Sequence, residues 1–301
     1  MADLSVGGIL IVHKHAGVTS NDIVQKLRRL YGTRQIGHTG TLDPMATGVL
    51  PVLIGRAVKA SDFITAESKR YTAEMRLGIE TDTEDTTGTV LRRCEEIPGE
   101  EAVLQACASF VGEIEQVPPM YSALKVDGKK LVDLAREGIT VERQARPITI
   151  HSLRARCLDS ETYQLDVHCS KGTYIRTLCA DIGKKLGCGA AMSALIRTES
   201  GPFSLERAVT IAQLEEMPPE ERLSLLLPLE DYFLELPPVH LPEFYARLAR
   251  NGCEIYQSKI RTSLPDGVLV RLYRGEEFFA LGQVRQYPAG SAVKAVKIFA
   301  L

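Results

Sequence analysis

Apolar positions along this chain fall into two kinds of run. Residues 8–13 (Gly-Ile-Leu-Ile-Val-His) and 49–54 are nearly continuous apolar stretches, which predict buried strands. Residues 69–77 alternate instead, with Tyr71, Ala73, Met75 and Leu77 on one side and Arg70, Thr72, Glu74 and Arg76 on the other, so this strand is half exposed. Between the first two strands Ile23, Val24, Leu27 and Leu30 share a helical face, with Thr19 or Ser20 as its cap and Gly32 at its end. Further helices are predicted at 57–63, 100–111, 131–137 and from the Tyr174-Ile175-Arg176 junction to about 186. Strands are predicted in a hairpin over 154–170, turning at Asp159-Ser160, and at 192–197. After Thr210 come a helix and a proline-broken connector, then short apolar runs at 268–272, 278–284 and 293–299, the pattern of a small all-β module.

One stretch has neither period. Gly37-His38-Thr39-Gly40-Thr41-Leu42-Asp43-Pro44-Met45-Ala46-Thr47-Gly48 surrounds a single carboxylate with glycine and threonine. Pro44 turns Asp43 away from the helical region, so the backbone of this loop can aim the acid outward. Taken by itself, the stretch is either an ordinary turn or a catalytic loop. The 81–88 stretch lacks the alternating acids and closing Glu of a calcium loop and reads as a polar loop.

The length of 301 residues and the 45% hydrophobic content fit one large domain and one small one. No run of eighteen apolar residues and no leader pattern is present, which predicts a cytoplasmic protein without membrane contact. Seven cysteines form no Cys-x-x-Cys pair, so no metal site is expected. Net charge is −2, yet 243–301 carries nine bases against five acids, beside eight acids against two bases over 206–236. A local polyanion surface suits the positive tail. Six bases lie between 118 and 146, either gripping phosphates or simply solvated.

The Asp43 loop, Lys69-Arg70-Tyr71, Tyr121-Ser122-Ala123-Leu124-Lys125 and Cys169-Ser170-Lys171-Gly172-Thr173-Tyr174-Ile175-Arg176-Thr177 together resemble the TruB-type bacterial tRNA pseudouridine synthases, in the same order and with similar spacing. The resemblance implies an α+β fold: a large mixed, mainly antiparallel sheet flanked by helices over 1–232, a basic RNA-binding insertion at about 118–147, and a PUA-like domain over 233–301. It implies conversion of uridine 55 in the T-arm of tRNA to pseudouridine, with no cofactor, no metal and no obligate protein partner, by a monomer. Asp43 becomes the catalytic carboxylate, Arg176 the cation that keeps it ionised, and Tyr71 the ring beneath the base and a proton acceptor.

By the same resemblance His38 contacts the flipped nucleotide or the adjacent phosphate, Lys14, Lys171 and Tyr174 line or support the site, and Leu195 packs near the base. A loop histidine and a plain core leucine are the structural alternatives for His38 and Leu195. The chemistry suits these residues. Nothing is oxidised or lost when the C1′–N1 bond is exchanged for C1′–C5, and a carboxylate can capture the sugar or add to the base. An RNA-folding chaperone is the alternative function.

Overall fold

The computed structural model describes residues 7–64, 68–126 and 128–300; Asp127 of the basic insertion lies outside them. Among these residues ten strands form one large sheet. Its main path runs Leu227–Pro228, Gly8–Lys14, Thr47–Ile54, Ala190–Ser200, Ser68–Leu77, Thr162–Ser170, Arg146–Cys157 and Gly112–Gln116. All neighbours on this path are antiparallel except Thr47–Ile54 and Ala190–Ser200, which run parallel through Ile196 opposite Thr47 and Arg197 opposite Gly48. The fold is α+β with a mixed, mainly antiparallel sheet, as the sequence predicts.

The two kinds of apolar run correspond to two environments. Along Gly8–Lys14, Leu10 and Val12 join a core with the Ser20–Leu30 helix, while Ile9 and Ile11 face a second core containing Leu229, Phe233, Phe278, Leu281 and Phe299. A strand covered on both faces has no polar side, hence its unbroken apolar run. Along Ser68–Leu77 only Tyr71, Ala73, Met75 and Leu77 are buried, and Arg70 and Arg76 pair with Glu199 and Glu161 on the open face. Burying a side chain of the size of Phe299 stabilises the docking of the C-terminal module by about 2–3 kcal/mol.

The C-terminal module is a five-stranded sheet in the order Pro238–Leu241, Leu269–Arg274, Glu277–Tyr287, Gly290–Ile298 and Glu254–Tyr256. Two helices absent from the sequence reading, Glu243–Arg250 and Gln257–Ile260, are also present. Its last strand is fastened to the large sheet, Arg56 and Lys59 donating to the carbonyls of Phe299 and Ile298 at 3.2 and 3.0 Å.

Several boundaries differ from the prediction. The first strand of the 154–170 hairpin begins at Arg146, because it pairs with the edge strand Gly112–Gln116, whose exposed positions hide the apolar signal. The 57–63 helix is a 3-10 segment, Gly55–Ala60, and the 100–111 helix ends at Ala108. Thr19, not Ser20, is the cap of Ser20–Leu30, exchanging hydrogen bonds with Asp22.

The Ile175–Leu186 helix lies against Ala190–Ser200 because Gly183 lets it. A β-carbon at Gly183 would come within 2.1 Å of the Ala190 nitrogen. Gly183→Ala is therefore expected to lower the unfolding free energy by about 1–3 kcal/mol, measurable by chemical denaturation; an unchanged midpoint would show that the contact yields freely.

Candidate active site

The Asp43 loop leads into the only parallel seam that the large sheet has among the described residues. Asp43 begins a four-residue turn, with Pro44 second and the Ala46 N–H donating back to the Asp43 carbonyl at 3.1 Å. The Ser20 hydroxyl, freed from capping, accepts from the Leu42 N–H at 2.9 Å and donates to the Leu42 carbonyl at 3.1 Å. Leu42 is buried, and the Asp43 carboxylate stands one-third exposed in a cavity of about 730 Å³.

Two buried cations hold this loop from beneath. Lys14 donates to the carbonyls of His15, Pro44 and Ala46 at 2.9, 3.2 and 2.6 Å. Arg197 donates to those of Val49, Thr41 and Gly40 at 2.7, 3.2 and 3.0 Å. Among the described residues neither forms an ion pair. Burial lowers the Lys14 ammonium to about 8, Asp43 opposing the shift and Arg197 adding to it. Gly48, opposite both, has φ +110, and a β-carbon there would meet the Arg197 backbone at 2.2 Å.

Arg176, second residue of its helix and 4% exposed, meets Asp43 as a fork: Nε to Oδ2 at 2.8 Å and Nη2 to Oδ1 at 3.3 Å. Its other donors reach the carbonyls of Thr83 and Tyr121, both at 2.8 Å. Asp85 lies 3.9 Å from Arg176 Nε and is itself held by Thr83 and Thr87.

Tyr71 and Leu195, on neighbouring strands, line the same cavity, as do His38 and Tyr174. Burial raises the Tyr71 hydroxyl above its ordinary value while Arg197 pulls it back. Burial, then Arg197, holds the His38 imidazole below its ordinary value, and its Nδ1 has no hydrogen-bond partner among the described residues. Tyr174 caps the Ile175–Leu186 helix with its backbone clasped by Gln116, which accepts from the Tyr174 N–H at 2.8 Å and donates to its carbonyl at 3.1 Å. The basic stretch closes one side through Tyr121, Ser122, Ala123, Lys130, Val132 and Arg136.

Of the residues expected to line or support the site, Lys14 stands in support, fully buried under the loop, and Lys171 is exposed in the turn next to Gly172, which lines the cavity. Four residues that the sequence reading did not assign belong to the site: Asp85, Gln116, Arg197 and Lys69, which lines the cavity beside Tyr71. Asp85 sits inside the stretch read as a polar loop, and Arg197 stands two residues after Leu195.

The fold that carries this cavity matches the pseudouridylate synthases. The family model for "TruB family pseudouridylate synthase (N terminal domain)" matches residues 28–175, and that for "tRNA pseudouridylate synthase B C-terminal domain" matches 176–233. The chain belongs to the TruB family of pseudouridylate synthases. It is 45% identical to the tRNA pseudouridine synthase B of Aromatoleum aromaticum over 92% of this chain and 89% of that one. The corresponding protein of Alkaliphilus oremlandii is 44% identical over 93% and 94%. A chain of the Cbf5-Nop10-Gar1 complex superposes with a TM-score of 0.72 at 27% identity, over 98% of this chain and 85% of that one.

Arg197→Lys keeps the charge, but one ammonium cannot reach all the carbonyls that Arg197 meets with three separate nitrogens. Losing two charge-assisted bonds is expected to lower the unfolding free energy by about 2–4 kcal/mol, read from denaturant titration. Wild-type stability in this variant would mean that the clamp contributes nothing to holding the loop.

Proposed function

We propose that this chain isomerises uridine 55 in the T-arm of tRNA to pseudouridine without a cofactor, using Asp43 as nucleophile on an extruded uridine. The observation that carries this reading is the fork between Arg176 and Asp43 on the floor of a cavity walled by Tyr71 and Leu195. Extruding the base costs roughly a few kcal/mol, and stacking on an aromatic ring returns about 1–3 kcal/mol. Tyr71 supplies that ring.

The C1′–N1 bond breaks, the base turns, and C5 takes the place of N1. Whether Asp43 captures C1′ or adds to C6, a proton must finally leave C5. Tyr71 takes that proton, the Arg197 charge opposing the rise that burial imposes on its hydroxyl. His38, Tyr174 and Leu195 hold the extruded nucleotide. Lys14 acts through the loop it pins, and Lys171 acts at the rim. The catalytic domain spans 1–232 with its RNA-gripping insertion at 118–147, and 233–301 is a PUA-like RNA-binding domain. The protein works as a monomer in the cytoplasm, where its substrate is made; among the described residues no helix is long and apolar enough to cross a membrane.

Asp43→Asn is expected to abolish pseudouridine formation on unmodified tRNA, read as reverse-transcription stops after carbodiimide labelling, while tRNA affinity stays within a few-fold of wild type. Residual turnover at the wild-type rate would remove Asp43 from the chemistry. Tyr71→Phe should retain binding and lose turnover by roughly 10²–10⁴-fold, and near-normal turnover would leave Tyr71 only as a stacking platform. A chelator should change neither variant nor wild type.

A further inference from the structure

Lys69 is a cation of the cavity wall that the reaction above leaves unused. Lys69 stands two residues before Tyr71 on the strand Ser68–Leu77, and so points to the same face about 7 Å further along. Lys69 Nζ forms no hydrogen bond and no ion pair with any described residue, yet Lys69 lines the cavity. The bare side of Gly40 looks onto it. The point that a β-carbon would occupy there is 3.6 Å from Lys69 Nζ and 3.6 Å from Arg197 Nη1, so the two cationic nitrogens are no more than twice that distance apart.

The surroundings are short of negative charge. Cys169 faces Lys69 across the sheet, Arg197 and Lys171 act on it as like charges, and His38 shares the cavity with an unpartnered Nδ1. Asp43, the nearest acid of the loop, is taken up by the Arg176 fork, and Glu199 by Arg70 on the opposite face. Arg197 gives three donors to neutral carbonyls, which leave its charge uncompensated. Partly buried cations without counter-charge favour an anion from outside the protein.

The substrate offers two kinds of negative charge, the phosphodiesters and the transiently detached base. With the base seated between Tyr71 and Leu195, a cation one residue pair away along the strand is displaced by a step comparable with the reach from a base to the phosphate of its own nucleotide. We infer that Lys69, backed by Arg197 and flanked by His38, is a phosphodiester subsite that takes one of the two phosphates bracketing the extruded uridine. This assignment rests on the reading of the cavity as a uridine site.

Burial and Arg197 bring the free Lys69 ammonium down to about 8. A bound phosphate stabilises its charged form, so RNA binding takes up a proton near that pH and weakens as pH rises through about 8. Arginine at 69 would stay charged and remove that fall.

The test uses the full chain carrying Asp43→Asn, so that binding is read without turnover, and a T-arm stem-loop RNA. Adding Lys69→Met should weaken binding roughly tenfold and reduce the slope of log affinity against log salt by about 0.7–0.9. Lys69→Arg should keep the slope and lose the fall near pH 8. An RNA with an uncharged methylphosphonate at one of the two bracketing phosphates should bind less well to the parent but equally to Lys69→Met. Lys69→Gln replaces Lys69→Met if the latter fails to fold. An unchanged salt slope, or methylphosphonate penalties equal in both proteins at both positions, overturns the assignment. So does a Lys69→Met single variant that loses kcat at constant KM, since that would place Lys69 on the reacting base. Failure of the unsubstituted chain to modify the RNA would instead sink the uridine reading, which the binding measurements do not use.

Discussion

The guanidinium of Arg176 is where the separate parts of this chain become one site. It reaches the Asp43 carboxylate, the carbonyl of Thr83 and the carbonyl of Tyr121, and so joins the central loop, the acidic turn and the insertion at a single buried group. A buried cation of this kind is stable only if each of its donors is met. The demand runs both ways: the loop must present its acid, and the insertion must lie over the sheet, for the guanidinium to be satisfied.

The loop is given its shape by charge beneath it rather than by its own sequence. Lys14 and Arg197 come from neighbours on either side of the strand Thr47–Ile54 and meet carbonyls at Gly40, Thr41, Pro44 and Ala46. A glycine-rich segment has much conformational freedom to lose on ordering. Donor-rich cations under its carbonyls offset that loss and leave the upper surface of the loop open to a ligand.

Much of this was legible in the sequence. The alternation of 69–77 gave the exposed and buried faces of its strand, and the unbroken runs at 8–13 and 49–54 marked strands buried on both sides. Asp43, Tyr71, Arg176, His38, Tyr174 and Leu195 could be singled out by motif, and the structure gathers them around one cavity. Lys14 was named by the same resemblance, but Arg197 was harder, because a cation that bonds main-chain carbonyls has no partner residue to betray it in the sequence. Asp85 and Gln116 act on groups far away in sequence, Gln116 on Tyr174 for example. The start of the strand at Arg146 was hidden because its partner is an edge strand with charged, solvent-facing positions.

The long sequence span of these clamps bears on how the protein is made. Arg197 fastens to Val49 across 148 positions, and Arg176 to Asp43 across 133. Synthesis proceeds from the amino end, so a ribosome that has released only the first half of the chain has exposed Asp43 without Arg176. The carboxylate and its glycine-rich segment therefore stay unordered until the strand bearing Arg197 emerges and inserts. The fastening of this loop is therefore complete only late in translation, after the strand Ala190–Ser200 has emerged.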